Sequence, residues 1–323
     1  VADILANVKQ KNKIMPVITI TGGTGNIGQR LCRLLIHRGY EVIVLGRKIP
    51  ESAQQLEQVR YLRWDIAEQE ISAEAISEAD GIIHLAGAGI ADGRWTAARK
   101  REITESRSRS AALIVKALSD IPNKVKWVLS ASAIGYYGGD EELSSDKGFG
   151  EEDAPGGDFL AQTCIDWENS IKPVEKLGKR LVILRTGIVL DTGSGAYAAF
   201  VKPLKAGLCT IMGSGGQMMS WIHIEDLCRM YVYALEHAEL SGVYNAVAPE
   251  PVPNKKLMET IARTRNSFFI PVHVPALLLR IGLGAMSVEA LKSCTVNAGK
   301  ILEAGFEFRY PALREAAEQL AGK

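Results

Sequence analysis

Two groups of residues in this sequence have the types and spacing to do chemistry. The first is Thr21, Gly22, Gly23, Thr24, Gly25, Asn26, Ile27 and Gly28. Glycines at 22, 25 and 28 let a chain turn sharply, let a phosphorylated ligand approach the backbone, and let a following helix lie close to its strand. Unpaired N–H groups at the start of that helix then face phosphate oxygens. The second group is Ser130, Ser132, Tyr136 and Tyr137, four hydroxyls within eight positions. Ser132 can hydrogen-bond a carbonyl or alcohol, and Tyr136 and Tyr137 can join it in handling a proton. The alternative is a serine that completes a turn and tyrosines that pack their rings in a wall.

The flanking elements place both groups. An apolar run, Val17 to Ile20, leads into the glycines, and Ile27, Leu31, Leu34 and Leu35 recur at helical spacing after them. Strand, tight turn and helix in that order form the context that a dinucleotide fingerprint requires. Further strands are expected at Glu41 to Leu45, Val59 to Trp64, Gly81 to Leu85, Val125 to Leu129, Arg180 to Leu184 and Tyr244 to Ala248. Helical stretches at Thr96 to Leu118 and Phe159 to Ile171 lie between them. The alternation predicts an α/β fold, a doubly wound Rossmann-type parallel sheet with a smaller C-terminal substrate-side lobe. Ser130 and Ser132 then fall at the carboxyl end of a strand, where open parallel sheets bind ligands.

The second strand ends in Gly46, Arg47 and Lys48 rather than in the acid that holds an unphosphorylated ribose. Arg47 can fork onto a phosphate and Lys48 adds positive field, which favours NADP(H) over NAD(H). A solvated charged turn is the other reading. Asp65 and Ile66, after the third strand, approach the adenine: the acid accepts from its amino group and the isoleucine packs near the ring, unless Asp65 is simply an exposed acid. Leu85, Ala86 and Gly87 keep the fourth strand's exit free of bulk for the cofactor's middle.

The remaining chemistry is bounded by composition. Of 323 residues, 47% are hydrophobic and 23% charged, with a formal net charge of +1, the balance of a soluble globular protein with no polyanionic partner such as nucleic acid. No apolar run is long enough to cross a bilayer. Five scattered cysteines and five histidines show neither a disulfide framework nor metal-ligand spacing, so no metal is expected. The basic stretch around Arg99 to Arg109 is interrupted by Glu102 and Glu105 and reads as an amphipathic surface or subunit-contact helix, as in a homodimer. Residues 1–14 read as a leader or an added extension before Met15. The cytoplasm is the default location, with an organelle open if a transit segment was removed.

With these residues in view, the chain resembles the short-chain dehydrogenase/reductase superfamily, in its extended, nucleoside-diphosphate-sugar epimerase-like branch. It is most similar to the atypical group called epimerase family proteins. The resemblance is carried by the 21–28 motif, Asp65, Leu85 to Gly87, Ser132-Ala133-Ile134-Gly135-Tyr136-Tyr137-Gly138, Arg185-Thr186-Gly187-Ile188-Val189-Leu190, Trp221-Ile222-His223-Ile224-Glu225-Asp226 and Tyr244-Asn245-Ala246-Val247-Ala248-Pro249. It implies an NAD(P)-binding epimerase-like domain over 15–250, with substrate-side segments interspersed, and a small C-terminal module over 251–323. That module's core would come from Val288, Leu291, Val296, Ile301 and Leu302. The superfamily works with a Tyr-x-x-x-Lys pair beside a serine. Here the corresponding helix reads Phe159-Leu160-Ala161-Gln162-Thr163. Phe159 carries no proton and Thr163 no ammonium, so the relay is incomplete while Ser132 is retained. Three functions follow: an unusual NADP(H)-dependent oxidoreductase or epimerase on an unidentified small molecule, a non-catalytic NADP(H)-binding sensor or regulator, or a structural partner protein.

Overall fold

The computed structural model of the protein describes residues 15–51, 55–143, 147–193, 195–265 and 268–322. The expected 1–14 leader lies outside them. The elements run β1 (Val17–Thr21), α1 (Asn26–His37), β2 (Glu41–Gly46), β3 (Val59–Asp65), β4 (Glu70–Ile71), α2 (Ala73–Ser77), β5 (Gly81–His84), α3 (Ala97–Asp120) and β6 (Trp127–Ala133). They continue as α4 (Phe159–Ile171), β7 (Arg180–Thr186), β8 (Ile188–Leu190), α5 (Gly195–Leu204), β9 (Leu208–Met212), β10 (Met218–Met219), β11 (Trp221–His223), α6 (Ile224–Glu236) and β12 (Gly242–Ala246). The chain then forms β13 (Val252–Pro253), α7 (Asn254–Arg265), β14 (Ile270–Val274), α8 (Ala276–Leu283), α9 (Ser287–Leu291), α10 (Gly299–Glu303) and α11 (Leu313–Leu320).

Eight strands form one sheet in the order β12-β7-β6-β5-β1-β2-β3-β4. All its pairings are parallel except β3 with β4. Chain order reverses on the two sides of β1, and such a switch point opens a crevice above the strand ends. Every residue of β1 is buried because helices cover both faces of a parallel sheet. Ile18 and Ile20 point into a core shared with α1 and α6, while Val17, Ile43 and Ile82 point into a second core with α2, α3 and α4. The register sets Thr21 opposite Leu45 and His84, His84 opposite Ser130, and Ser132 opposite Arg185. One sheet edge therefore collects the residues that the two sequence groups contain.

A third core holds the substrate-side lobe and draws on α5, β9, β11, α7 and α11, with Tyr197, Trp221, Leu257 and Leu313 among its members. Several expectations change here. Strand β6 continues through Ala133, so Ser130 and Ser132 lie within it rather than after it. Two further parallel pairs lie outside the main sheet, β8 with β11 and β9 with β14. In the terminal module Val296 and Ile301 are buried as expected, but Val288 is 57% and Leu302 is 42% exposed, so neither belongs to its core. Among the described residues no helix is long and apolar enough to cross a membrane.

Candidate functional site

The glycine turn between β1 and α1 is shaped by steric necessity at three points. Gly22 has a φ of +70°, and a Cβ there would sit 2.9 Å from the Leu85 carbonyl carbon. A Cβ on Gly28 would meet the Gly22 oxygen at 2.3 Å, and one on Gly23 would meet the Val44 side chain at 2.5 Å. Gly23 is thus as constrained as its neighbours, though strand–helix spacing alone did not single it out. Gly25 is different: its φ is −74°, and the only atom near its absent Cβ is the Gly22 oxygen at 3.2 Å. Gly25 is exposed at the start of α1, whose first turn has no side-chain cap and no acidic residue. Uncapped N–H groups at an exposed helix start form a cradle for an anion.

Asn26 and Ile27 continue the cradle. Asn26 spends its side chain on Asp191, whose other oxygen meets Arg30 Nη2 at 2.5 Å. That carboxylate, 1% exposed after β8, ties the turn to the substrate-side lobe and leaves the backbone of Asn26 to face a ligand. Ile27 packs partly buried against the α1-side core. Thr24 is exposed, and its carbonyl accepts from Gln29 Nε2.

Thr21 braces the turn from below. His84 is fully buried between Thr21 Oγ1, 2.7 Å from its Nδ1, and Ser110 Oγ, 3.3 Å from its Nε2. Ser110 gives its own proton to the Ser106 carbonyl, so it accepts from His84 Nε2–H, and Nδ1 accepts from Thr21. Thr21 Oγ1 in turn accepts from the N–H groups of Leu85 and Ala86. Burial, reinforced by the charge of Arg107, pushes the His84 pKa down to about 3, so the ring is neutral. This relay fixes Leu85 and Ala86 at the exit of β5. Gly87 is exposed beside them.

Arg47 and Lys48 follow β2 in exposed positions, and neither has an ion pair among the described residues. Asp65 ends β3. Its Oδ1 accepts from the N–H groups of Ala67 (2.9 Å) and Glu68 (3.2 Å), and its Oδ2 lies 3.6 Å from Arg63. Those backbone bonds hold the carboxyl below the usual range. Asp65 therefore builds its own turn, with Ile66 half-buried in it.

The hydroxyls on β6 and after it separate into three situations. Ser132 is 3% exposed, and its Oγ donates to Glu168 Oε1 at 2.7 Å. Glu168 also takes a two-pronged bond from Arg185, with Nε to Oε1 at 2.8 Å and Nη2 to Oε2 at 2.9 Å. Tyr137 is fully buried, donates to Asn245 Oδ1 at 2.7 Å and accepts from Arg185 Nη1 at 3.0 Å. Burial raises its pKa beyond the ordinary tyrosine range. Burial works against the Arg185 charge, yet Glu168 and Tyr137 hold its pKa above the ordinary arginine range. Tyr136 is only half-buried, the Arg185 guanidinium lies 3.4 Å from its ring centroid, and its hydroxyl has no hydrogen-bond partner among the described residues. Glu168 and Arg185 organise this site. Their side chains meet only when α4 packs on β6 and β7, so spacing along the chain gave Glu168 no signal.

At the positions of the missing pair, α3 and α4 form a ladder. Lys100 Nζ lies 4.8 Å from the Phe159 ring centroid, Thr104 Oγ1 lies 3.1 Å from Thr163 Oγ1, and the Arg107 guanidinium lies 5.1 Å from the Trp167 ring. Trp95 packs edge-on against Phe159 with centroids 5.2 Å apart. Phe159 and Thr163 are thus integrated into the packing rather than left as gaps. Among the described residues no group of three or more His, Cys, Asp or Glu side chains could hold a metal ion.

Comparison with known proteins matches this geometry to a family. Residues 18–246 match the model of the NAD dependent epimerase/dehydratase family, and residues 274–320 match a domain of unknown function, DUF1731. Epimerase family protein YfhF of Bacillus subtilis is 35% identical over 305 residues, covering 94% of this chain and 97% of that protein. Epimerase family protein SDR39U1 of Homo sapiens is 31% identical over 310 residues, covering 94% and 99%. The crystal structure of isoform 2 of that human protein, solved with NADPH, superposes with a TM-score of 0.83 at 27% identity over 95% of this chain and 99% of its own. A UDP-N-acetylglucosamine 4-epimerase from Bacillus cereus shares the fold, with a TM-score of 0.74 at 18% identity over 95% of each chain.

Proposed function

This chain belongs to the NAD dependent epimerase/dehydratase family, and from that membership we propose that it is an NADP(H)-binding atypical oxidoreductase or epimerase acting on a small carbonyl, alcohol or nucleotide-sugar-like substrate. The observation that carries the cofactor reading is the pair Arg47 and Lys48, exposed and without ion pairs among the described residues, where β2 ends beside the glycine cradle. A phosphorylated ribose would meet two cations there and no acid. The human relative solved with NADPH supports the same choice. The bound nicotinamide would donate a hydride to a carbonyl when reduced, or accept one from an alcohol when oxidised.

The chain's own residues hold the cofactor through Thr21 to Gly28 and keep its path open at Leu85, Ala86 and Gly87. Ser130 is fully buried and donates to the Ala131 carbonyl, Ser132 is committed to Glu168 and Tyr137 to Asn245, so Tyr136 is the hydroxyl in this group that remains available to a substrate. We assign it the proton step, with Ser132 and Tyr137 holding the network beneath it. The test is NADPH oxidation across a panel of aldehydes, ketones and nucleotide sugars, with Tyr136→Phe as control. Turnover that falls in the variant while NADPH binding is unchanged supports the assignment, and equal turnover contradicts it.

A second reading rests on Phe159 and Thr163, which remove the family's proton relay: the protein binds NADP(H) as a sensor. Tight NADPH binding with no turnover on that panel selects it.

A further inference from the structure

Arg107 is a half-buried cation beside this site with no anionic partner among the described residues. It sits on α3 one turn beyond Thr104, which bonds Thr163, and its guanidinium lies against the face of Trp167. Its hydrogen bond, Nη1 to the Ile103 carbonyl at 2.9 Å, stays inside its own helix, and it makes no ion pair among the described residues. Arg185, by contrast, is neutralised by a two-pronged carboxylate. A half-buried guanidinium with one carbonyl bond and no anion has lost part of its hydration with only partial compensation. Burial accordingly pushes its pKa down, with Arg99 acting in the same direction.

Its position gives that charge a direction. A Cβ on Gly87 would lie 3.0 Å from Arg107 Cζ, so the guanidinium is pressed against the strand exit whose small residues leave room for the cofactor. Gly87 is exposed and Arg107 half-buried, so this contact lies at the border of the protein. Through Thr104, one turn earlier on α3, the same helix face meets Thr163, the position that carries no ammonium.

We propose that Arg107 is a cofactor-binding residue that contacts the nicotinamide-side phosphate and ribose of the dinucleotide, bringing from α3 the positive charge that Thr163 cannot bring from α4. The proposal rests on the NADP(H) reading above and adds a residue to it. Its guanidinium forks onto a phosphate oxygen pair or a phosphate and a ribose hydroxyl. Trp167 holds its plane and Gly87 admits the ligand.

Binding of two probes to the full chain tests this: NADPH, and 2′,5′-ADP, which has the phosphorylated adenosine but neither the second phosphate of the diphosphate bridge nor the nicotinamide ribose. Arg107→Met is expected to weaken NADPH by about tenfold or more and to leave 2′,5′-ADP within about twofold of wild type, as loss of a charge-assisted bond at one end of the ligand requires. Arg107→Lys should recover part of the NADPH affinity. Unchanged NADPH affinity in Arg107→Met overturns the proposal. Equal weakening of both probes, together with a lower unfolding temperature, also overturns it in favour of a packing role. A wild-type chain that binds neither probe overturns the NADP(H) reading and this proposal together, whereas failure confined to the Arg107 variants overturns the proposal alone.

Discussion

Ser132 Oγ donates its proton to Glu168 Oε1 across 2.7 Å, and that same oxygen accepts from Arg185 Nε at 2.8 Å. The serine retained from the family's catalytic set is therefore a member of a buried ionic network. Its hydroxyl has one proton, and Glu168 holds it.

The ion pair makes a strong stability prediction. Arg185 is 4% and Glu168 2% exposed at the side chain, so Glu168→Ala leaves a buried guanidinium without its carboxylate. The expected loss is about 3–5 kcal/mol, read as a lower urea midpoint. Ser132→Ala removes one charge-assisted bond and should cost less, about 1.5–3 kcal/mol. A Glu168→Ala variant as stable as wild type would contradict this network.

Tyr136→Phe should behave in the opposite way. The hydroxyl has no hydrogen-bond partner among the described residues, so stability should change by less than about 0.5 kcal/mol. If Tyr136 carries the proton step, turnover should fall by about 10²–10⁴. Comparing unfolding and single-turnover data on the one variant separates the two roles.

Gly28→Ala should damage the cradle through geometry alone. The added Cβ would lie 2.3 Å from the Gly22 oxygen, and both the turn and the start of α1 would have to shift. A stability loss of about 1–3 kcal/mol is expected, with loss of nucleotide affinity. Gly25→Ala should cost less stability with a comparable loss of affinity, because its Cβ would meet only the Gly22 oxygen, at 3.2 Å, at the exposed start of the helix.

His84 gives a pH dependence with a defined sign. Its folded pKa is about 3 against 6.5 unfolded, so the unfolded chain binds a proton that the folded one refuses. The stability associated with neutral His84 is complete above pH 6.5 and declines as pH falls from 6.5 toward 3. At pH 5 the contribution lost is about 2 kcal/mol. Denaturant titrations at several pH values should show this slope, and His84→Asn should flatten it.

How much of this was legible in the sequence follows from where each signal resides. The sheet could be read because its parallel strands are buried on both faces and appear as unbroken apolar runs such as Val17 to Ile20. The helix over Phe159 to Ile171 could be read from its spacing and from Pro173 beyond it. Short strands such as β8 have too few residues for a period, and only pairing with β11 defines them. Glu168 is an acid on a helix until packing places it against Arg185. Val288 and Leu302 look like core residues by type, yet the fold leaves them at the surface, since apolar type permits burial without requiring it.

Arg47 and Lys48 decide which dinucleotide the site takes, and the direct measurement is a parallel fluorescence titration of NADPH and NADH against wild type and Arg47→Ala. Wild type should prefer NADPH, and Arg47→Ala should lose about tenfold in NADPH affinity while its NADH affinity stays near wild type. Equal affinity for the two cofactors, unchanged by the substitution, would contradict the proposal that this site reads a phosphorylated ribose.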